Sequence, residues 1–134
     1  MHGRSRGDQR TDRWSRTDWW GVVLDTPDPG RLARFYAELL DWKLATETEG
    51  WVTIGPDEGV AYLGFQLAPD FVPPVWPNVP GAQQLGMHLD FEVDDLTLAV
   101  ASAEEMGAVE HPHQPQSTVR VMIDPDGHLF CLYT

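Results

Sequence analysis

The chain has 134 residues, of which 42% are hydrophobic and 22% charged, and this composition fits a single soluble domain with one core. The formal net charge of −12 disfavours nucleic-acid binding, because an acidic surface repels the phosphate backbone. No apolar run approaches the roughly 20 residues that a membrane-spanning helix needs, so a transmembrane role is excluded.

The first 18 residues differ in composition from the rest of the chain. They hold five of the nine basic residues and show no apolar periodicity, so we predict a flexible basic leader over 1–18. The alternative is a basic arm that contacts nucleic acid or a partner. Residues 19–134 carry four basic and 18 acidic side chains, a formal charge of −14 that would attract cationic small molecules. The single cysteine, Cys131, is typical of a reducing, cytoplasmic compartment.

The first half of the chain contains one strand, one helix and three further strands. We predict a strand at 19–26, a helix that begins at Pro29 behind an Asp28 N-cap, and strands at 42–47, 51–55 and 60–67. In the helix, apolar residues recur at i, i+3, i+4, i+7 and i+8, namely at Leu32, Phe35, Tyr36, Leu39 and Leu40. We expect this apolar stripe to lie on a sheet.

A proline-rich segment separates this half from a second copy of the same pattern. Residues 68–83 hold five of the eleven prolines, which predicts a stiff linker without a helix or a central strand. We then predict a strand at 84–93, a helix capped by Asp94 or Asp95 that stops at Gly107, and strands at 108–113, 117–123 and 127–133. Gly21 matches His88 at an offset of 67 residues, and Gln66 matches Cys131 at 65. Such repetition predicts two βαβββ modules, at about 19–67 and 84–134.

Four stretches of the sequence resemble a known family. They begin at Asp25, Val72, Leu85 and Asp124 and read DTPDPGRLARFYAELLDW, VPPVWP, LGMHLDFEVDD and DPDGHLFCLY. They resemble the vicinal oxygen chelate superfamily, which includes glyoxalases, bleomycin-resistance proteins and ring-cleaving dioxygenases, and most of all its small bacterial glyoxalase-like proteins. The resemblance covers residues 19–134 and implies an α+β fold, in which two tandem βαβββ modules form a curved mixed sheet around a cleft.

The resemblance also implies where a metal would bind. The family's ligands lie near the first and last strand of each module, and these positions correspond to Gly21, Gln66, His88 and Cys131. Only His88 keeps a ligand of the family's type, since glycine has no side chain and an amide is a poor ligand for a transition ion. We therefore expect no cofactor, with His88 and Cys131 as weak candidates for a divalent metal. The carboxylate base that lyase and isomerase chemistry needs is missing from these positions as well.

Several residues are predicted to line a ligand-binding cleft. Trp20 and Phe65 flank positions that we expect to face the cleft, and aromatic rings suit flat ligands. His88 has the alternative of a hydrogen-bonded strand histidine, and Cys131 that of an inert buried thiol. Trp42 and Trp51 are expected in the core or at a dimer interface. The full predicted set is Trp20, Phe65, Gln66, Trp76, His88 and Cys131.

The leading hypothesis from the sequence is a cytoplasmic homodimer that binds a small aromatic or cationic molecule without a metal. The alternative is an enzyme, either a lyase, isomerase or dioxygenase with an atypical metal site, or a metal-free one with His88 as base. A third interpretation is an accessory domain with a vestigial cleft. Asp124 and His128 are expected to satisfy the turn before the last strand rather than to catalyse.

Overall fold

The structure is a computed structural model that describes residues 2, 4 and 7–134. The chain divides into two compact units, residues 1–69 and residues 70–134. Each unit contains one α-helix and a four-stranded sheet in the order βαβββ, which confirms the predicted α+β class with two similar modules. Within the described residues, neither helix has the length and apolar character that crossing a bilayer requires.

The first unit follows the predicted order of elements. A short 3-10 helix spans Arg13–Ser15, and the regular elements are β1 (Trp20–Thr26), α1 (Pro29–Leu40), β2 (Lys43–Thr48), β3 (Trp51–Gly55) and β4 (Ala61–Leu67). The strand order in the sheet is β1-β4-β3-β2. β1 runs parallel to β4, and the other neighbours are antiparallel.

Helix α1 begins where its sequence predicts. The Asp28 side chain accepts a hydrogen bond from the backbone N–H of Arg31 at 3.0 Å, and the Pro29 ring is pre-organised for the first turn. The helix stops at Asp41, which has a left-handed φ of 51°. Leu32, Phe35 and Tyr36 of the apolar stripe are buried, whereas its last two residues are half-buried. The Tyr36 ring stacks on the Phe65 ring of β4 at a centroid distance of 5.7 Å. The core of this unit therefore lies between α1 and one face of the sheet.

The second unit repeats the design with shorter strands. Its elements are β5 (Leu89–Glu92), α2 (Leu96–Glu105), β6 (Val109–Glu110), β7 (Val119–Ile123) and β8 (Leu129–Tyr133), in the sheet order β5-β8-β7-β6. Asp95 is the N-cap of α2 and accepts a hydrogen bond from the Leu98 N–H at 3.0 Å. The buried apolar residues are Ala103, Ala108, Val121, Met122, Leu129, Phe130 and Leu132.

All four strands of the second unit are shorter than predicted, and the difference is largest for β5 and β6. The strand expected at 84–93 is regular only over β5, because β5 is an edge strand whose one partner, β8, begins at Leu129. The strand expected at 108–113 is reduced to β6. Beyond it, the Gln114 side chain donates to the carbonyl of Val121 at 2.9 Å and accepts from its N–H at 2.9 Å. A side-chain amide thus replaces strand pairing where Pro112 and Pro115 interrupt the backbone ladder.

The turn between β7 and β8 is organised by one buried carboxylate. Asp124 is 3% exposed, and its Oδ1 accepts from the backbone N–H groups of Asp126, Gly127 and His128 at 2.9–3.0 Å. Its Oδ2 lies 2.8 Å from Nδ1 of His128, whose ring stacks on Phe71 at a centroid distance of 4.4 Å. The turn thus has the structural role expected for Asp124 and His128.

Candidate functional site

Strand alternation gives the first sheet one face packed against α1 and one open face. Val52 and Ile54 of β3 and Phe65 of β4 are buried on the α1 side. Trp51 is one residue from Val52, and Tyr62 is three residues from Phe65, so both side chains lie on the opposite face of the sheet, where they are half-buried. The open face therefore carries large aromatic side chains.

Two glycines allow these rings to lie flat on the strands. A β-carbon at Gly64 would come within 2.5 Å of the Trp51 ring, and one at Gly21 within 2.5 Å of the Tyr62 ring. Any larger residue at either position would push the ring away from the backbone. The sequence thus specifies both the rings and the space beneath them.

The N-terminal segment contributes a buried cation to the same unit. Arg13 is 4% exposed, and its guanidinium donates to the carbonyls of Glu58 at 3.3 Å, Gly59 at 2.6 Å and Ala61 at 2.6 Å. The guanidinium carbon lies 4.5 Å from the centroid of the Trp19 ring, a cation–π distance. Residues 1–18 were predicted as a flexible leader without such contacts, because composition alone does not reveal where an arginine is held.

Ion pairs join other described residues of this segment. Arg16 pairs with Asp18 through two contacts of 2.9 and 2.7 Å, and Asp18 also accepts from the Asp8 N–H at 3.2 Å. The hydrogen bonds from Arg16 lower the pKa of Asp18 to about 2. The pKa of Asp8 is likewise far below its ordinary value, because Arg10 hydrogen bonds to it. Both carboxylates are therefore ionised at neutral pH, where these pairs persist.

The N-terminal segment and the sheet enclose a cavity of about 310 Å³, which we call the aromatic pocket. Trp14 and Trp19 have ring centroids 6.0 Å apart, and Trp19 meets Tyr62 edge-on at 6.4 Å. The volume lies at the lower end of the range for small-molecule sites. The lining residues are Arg13, Trp14, Trp19, Ala45, Thr46, Trp51, Thr53, Ile54 and Tyr62.

The second unit holds a cluster of potential metal ligands. Donor atoms of His88, Asp90 and Cys131 all lie within 4.8 Å of one another. His88 Nε2 is 3.2 Å from Asp90 Oδ1, and Asp90 is the register partner of Cys131 across β5 and β8. Burial raises the pKa of the Cys131 thiol to about 11, and the charge of Asp90 and a hydrogen bond to it add to the effect. The thiol is therefore protonated at neutral pH.

Two cavities adjoin this cluster, and they differ in size and polarity. The smaller, of about 70 Å³, is lined by Trp76, Leu85, His88, Val121, Leu129 and Cys131. The larger, of about 340 Å³, is lined by His88, Asp90, Gln116, Thr118, Val119, Cys131, Tyr133 and Thr134. The larger cavity is therefore more polar than the aromatic pocket, whereas the smaller one is more apolar.

The structure brings together three of the six residues predicted to bind a ligand. Trp76, His88 and Cys131 line the smaller cavity of the second unit. Gln66 is exposed on the open face of the first sheet, opposite Trp51 in register. Its exposure is compatible with ligand contact, although it does not line the aromatic pocket.

Two other predicted residues lie elsewhere. Phe65 is fully buried beneath α1, so it is a core residue of the first unit and has no surface to offer a ligand. Trp20 is 55% exposed at the start of β1 and lies outside the aromatic pocket. Alternation explains both placements, because each residue is adjacent in sequence to a residue of the open face and so points to the other side.

Sequence reasoning missed Asp90 and most of the aromatic pocket. Asp90 lies two residues after His88, and period-2 alternation alone would have placed both on one face. Trp51, expected in the core or at a dimer interface, is half-buried over Gly64. The signal for Trp51 was its alternation with the apolar Val52 and Ile54. Arg13 and Trp14 carried no signal beyond their position in a basic segment.

The four positions that correspond to the family's metal ligands differ in how well their residues could coordinate a divalent ion. At Gly21 the Tyr62 ring occupies the space of a side chain, and Gln66 offers a neutral amide, so neither position of the first unit suits a divalent ion. In the second unit, His88 and Cys131 are joined by Asp90. Imidazole, carboxylate and thiolate together form a donor set that zinc accepts, once the thiol has lost its proton.

Comparisons with known proteins agree with this architecture. A family model described as a glyoxalase-like domain matches residues 21–133. No curated protein matches the sequence significantly. Among solved structures, one of a possible glyoxalase from Bacillus cereus has a TM-score of 0.62 at 12% identity, covering 85% of this chain and 96% of that chain.

Two resistance proteins also share the fold. The fosfomycin resistance protein FosX from Mesorhizobium loti has a TM-score of 0.61 at 15% identity, covering 86% of this chain and 89% of that chain. A bleomycin resistance determinant encoded on the transposon Tn5 has a TM-score of 0.58 at 22% identity, covering 88% and 98% of the two chains. At such identities the likeness concerns the fold alone. Since the family model spans most of the sequence and both units have its βαβββ order, the chain belongs to the glyoxalase-like domain family of the vicinal oxygen chelate superfamily.

Proposed function

We propose that the protein binds a small planar aromatic molecule in the aromatic pocket of the first unit, without a metal ion in that pocket. The observation that carries this proposal is the grouping of four aromatic rings, Trp14, Trp19, Trp51 and Tyr62, around about 310 Å³ of space. Rings of this kind offer large apolar faces at little entropic cost and prefer offset-stacked or edge-on contacts with other rings. A ligand with one or two fused rings suits the volume.

One polar edge in the pocket, the indole N–H of Trp19, is already engaged within the protein. Trp19 Nε1 donates to the carbonyl of Arg16 at 2.7 Å, so this indole has its apolar faces left for a ligand. Thr46 and Thr53 add two hydroxyl groups to the lining. We include in this proposal the homodimer and the cytoplasmic location expected from the sequence, the latter on the ground of one free cysteine.

Replacement of Trp51 by alanine is expected to weaken binding of a bicyclic aromatic ligand by at least about tenfold, because the ring that forms one wall is lost. Isothermal titration calorimetry against a panel of neutral and charged bicyclic compounds measures this effect. The matched control is Trp20→Ala, which removes an exposed indole from the same unit outside the pocket and should leave the affinity within about twofold. Equal losses in the two variants, or no binding of any compound to the unaltered protein, would refute the proposal.

A metal-dependent function is the second candidate, and one observation favours it: the approach of His88, Asp90 and Cys131 to within 4.8 Å. A divalent ion held by these three side chains would supply a Lewis acid beside the larger, polar cavity of the second unit. Asp90 and Cys131 would have to exchange their mutual hydrogen bond for the ion. This candidate corresponds to the lyase, isomerase or dioxygenase alternative.

Cobalt(II) is expected to bind this cluster more tightly as the pH rises, because the Cys131 thiol with its pKa of about 11 must release a proton to become a ligand. Between about pH 6 and 8 the apparent affinity should increase about tenfold per pH unit from the thiol alone. The thiolate-to-cobalt absorbance measures binding, and Cys131→Ser should abolish it, whereas His113→Ala, outside the cluster, should not. Failure to detect cobalt absorbance, together with no metal in protein purified without chelator, would exclude this candidate.

A further inference from the structure

The Arg13 guanidinium is a buried cation without a counter-charge. Its hydrogen-bond partners are three backbone carbonyls, and no carboxylate in the described part of the chain forms an ion pair with it. Its Nε is buried and has no hydrogen-bond partner. Burial lowers the pKa of Arg13, and the charge of Asp57 acts in the opposite direction, yet an arginine remains charged at neutral pH.

A buried charge without an ion-pair partner, together with an N–H group without an acceptor, destabilises the folded protein unless another group compensates for them. A desolvated charge is normally paired, and a buried N–H without an acceptor is rare enough in folded proteins to call for an explanation. The neutral carbonyls orient the guanidinium but leave its positive charge unbalanced. Because Arg13 is one of the residues that line the aromatic pocket, an anion bound there would supply the missing charge.

The nearby carboxylates are engaged with other cations. Asp18 pairs with Arg16 at 2.7 Å, and Asp8 pairs with Arg10. Asp57, the acidic residue whose charge acts on Arg13, pairs with Lys43 at 2.7 Å. Each of these three carboxylates therefore already has a cation partner other than Arg13.

The two units differ in formal charge, so a ligand of the first unit need not have the charge expected for a ligand of the second. Residues 1–69 contain eight basic and eleven acidic side chains, a formal charge of −3, whereas residues 70–134 contain one basic and ten acidic side chains, a charge of −9. The acidic character that suggested a cationic ligand thus belongs mainly to the second unit. The unit that holds the aromatic pocket is much less acidic.

We infer that the aromatic pocket recognises a planar aromatic anion, such as an arene carboxylate, and that Arg13 of the N-terminal segment is the residue that selects its charge. This inference rests on the proposed function and adds the chemical class of the ligand. The rings of Trp19 and Trp51 would bind the flat part of the molecule. Its carboxylate would lie near the guanidinium, where the low dielectric of the pocket strengthens the attraction.

The test compares three ligands with the same bicyclic ring system: naphthoate, naphthamide and naphthylmethylammonium. Calorimetry of the unaltered protein should give an affinity for naphthoate about tenfold higher than for naphthamide, with the ammonium compound weakest. Increasing salt should reduce the advantage of naphthoate. Arg13→Gln should make the naphthoate and naphthamide affinities equal. The matched control is Arg34→Gln, which removes an exposed arginine paired with Glu47 and should preserve the tenfold difference.

The possible results separate this inference from the proposed function. If none of the three compounds binds, the proposed function fails and the inference fails with it. If naphthamide binds as well as naphthoate, or the ammonium compound binds best, the pocket still holds aromatic molecules but the assigned charge is wrong. Should Arg13→Gln not fold, Arg13→Lys is expected to keep a reduced preference for naphthoate, and the ranking on the unaltered protein alone can overturn the inference.

Discussion

Replacing Phe65 by alanine is expected to reduce the free energy of unfolding by about 3–5 kcal/mol, because the ring is fully buried and its loss leaves a cavity beneath α1. The stacked contact with Tyr36 at 5.7 Å disappears as well. Urea denaturation followed by circular dichroism measures the change. This result would establish that Phe65 stabilises the core, the opposite of the ligand-lining role that its sequence position suggested.

A control on the same strand separates burial from a general sensitivity of β4. Leu67 lies two residues further on and is 41% exposed, so Leu67→Ala should cost about 1 kcal/mol or less. If Phe65→Ala does not fold, Phe65→Leu should fold with a smaller loss and should bind aromatic ligands as the unaltered protein does. A loss below about 1 kcal/mol in Phe65→Ala would contradict the burial of this ring.

Replacing Asp124 by alanine is expected to destabilise the second unit by about 3–5 kcal/mol, because three backbone N–H groups lose their shared acceptor. The contact to His128 Nδ1 is lost too, and the stacking of Phe71 on that ring should loosen with it. Chemical denaturation again gives the magnitude. Tertiary order around Phe71 can be followed by the dispersion of its ring resonances in proton NMR.

The control for Asp124 is Asp94→Ala, which removes an exposed carboxylate just before α2. The N-cap of that helix is Asp95, so the Asp94 variant should change stability by no more than about 0.5 kcal/mol. A similar small change in Asp124→Ala would mean that the turn keeps its shape without the carboxylate. Asp124→Asn should lie between the two, because an amide keeps one acceptor oxygen for the N–H groups.

The order of elements could be predicted from the sequence because it depends on local apolar periodicity and on the residues that cap helices and form turns. The stripe from Leu32 to Leu40, the Asp28 and Asp95 caps and the offset between Gly21 and His88 all point to a duplicated module. The ends of the strands were harder to predict from the sequence. The ends of β5 and β6 depend on which partner strand is present and on the side chain of Gln114, and neither is encoded in the hydrophobic pattern of the strand itself.

The residues of the candidate sites could be predicted from the sequence only in part. Family positions pointed to His88 and Cys131, and Trp76, which was also predicted, lines the same cavity. Phe65 was misplaced because its neighbour Gln66 was also expected in the cleft, although adjacent strand residues point to opposite faces. Arg13 could not have been found, because an arginine in a polar N-terminal segment is usually solvated, and only its hydrogen bonds to the carbonyls of Gly59 and Ala61 show where it binds.

The side chain of Gln114 has a consequence for the behaviour of this protein at high concentration. Strand β6 covers only two residues of β7, and the next backbone groups of β7 along that edge belong to Val121. The Gln114 amide binds both the N–H and the carbonyl of Val121, and the N–H of His111 also donates to that carbonyl at 2.9 Å. A strand from another molecule would have to displace these bonds before it could add to the sheet there. Gln114 thus protects an otherwise open edge from intermolecular β-aggregation.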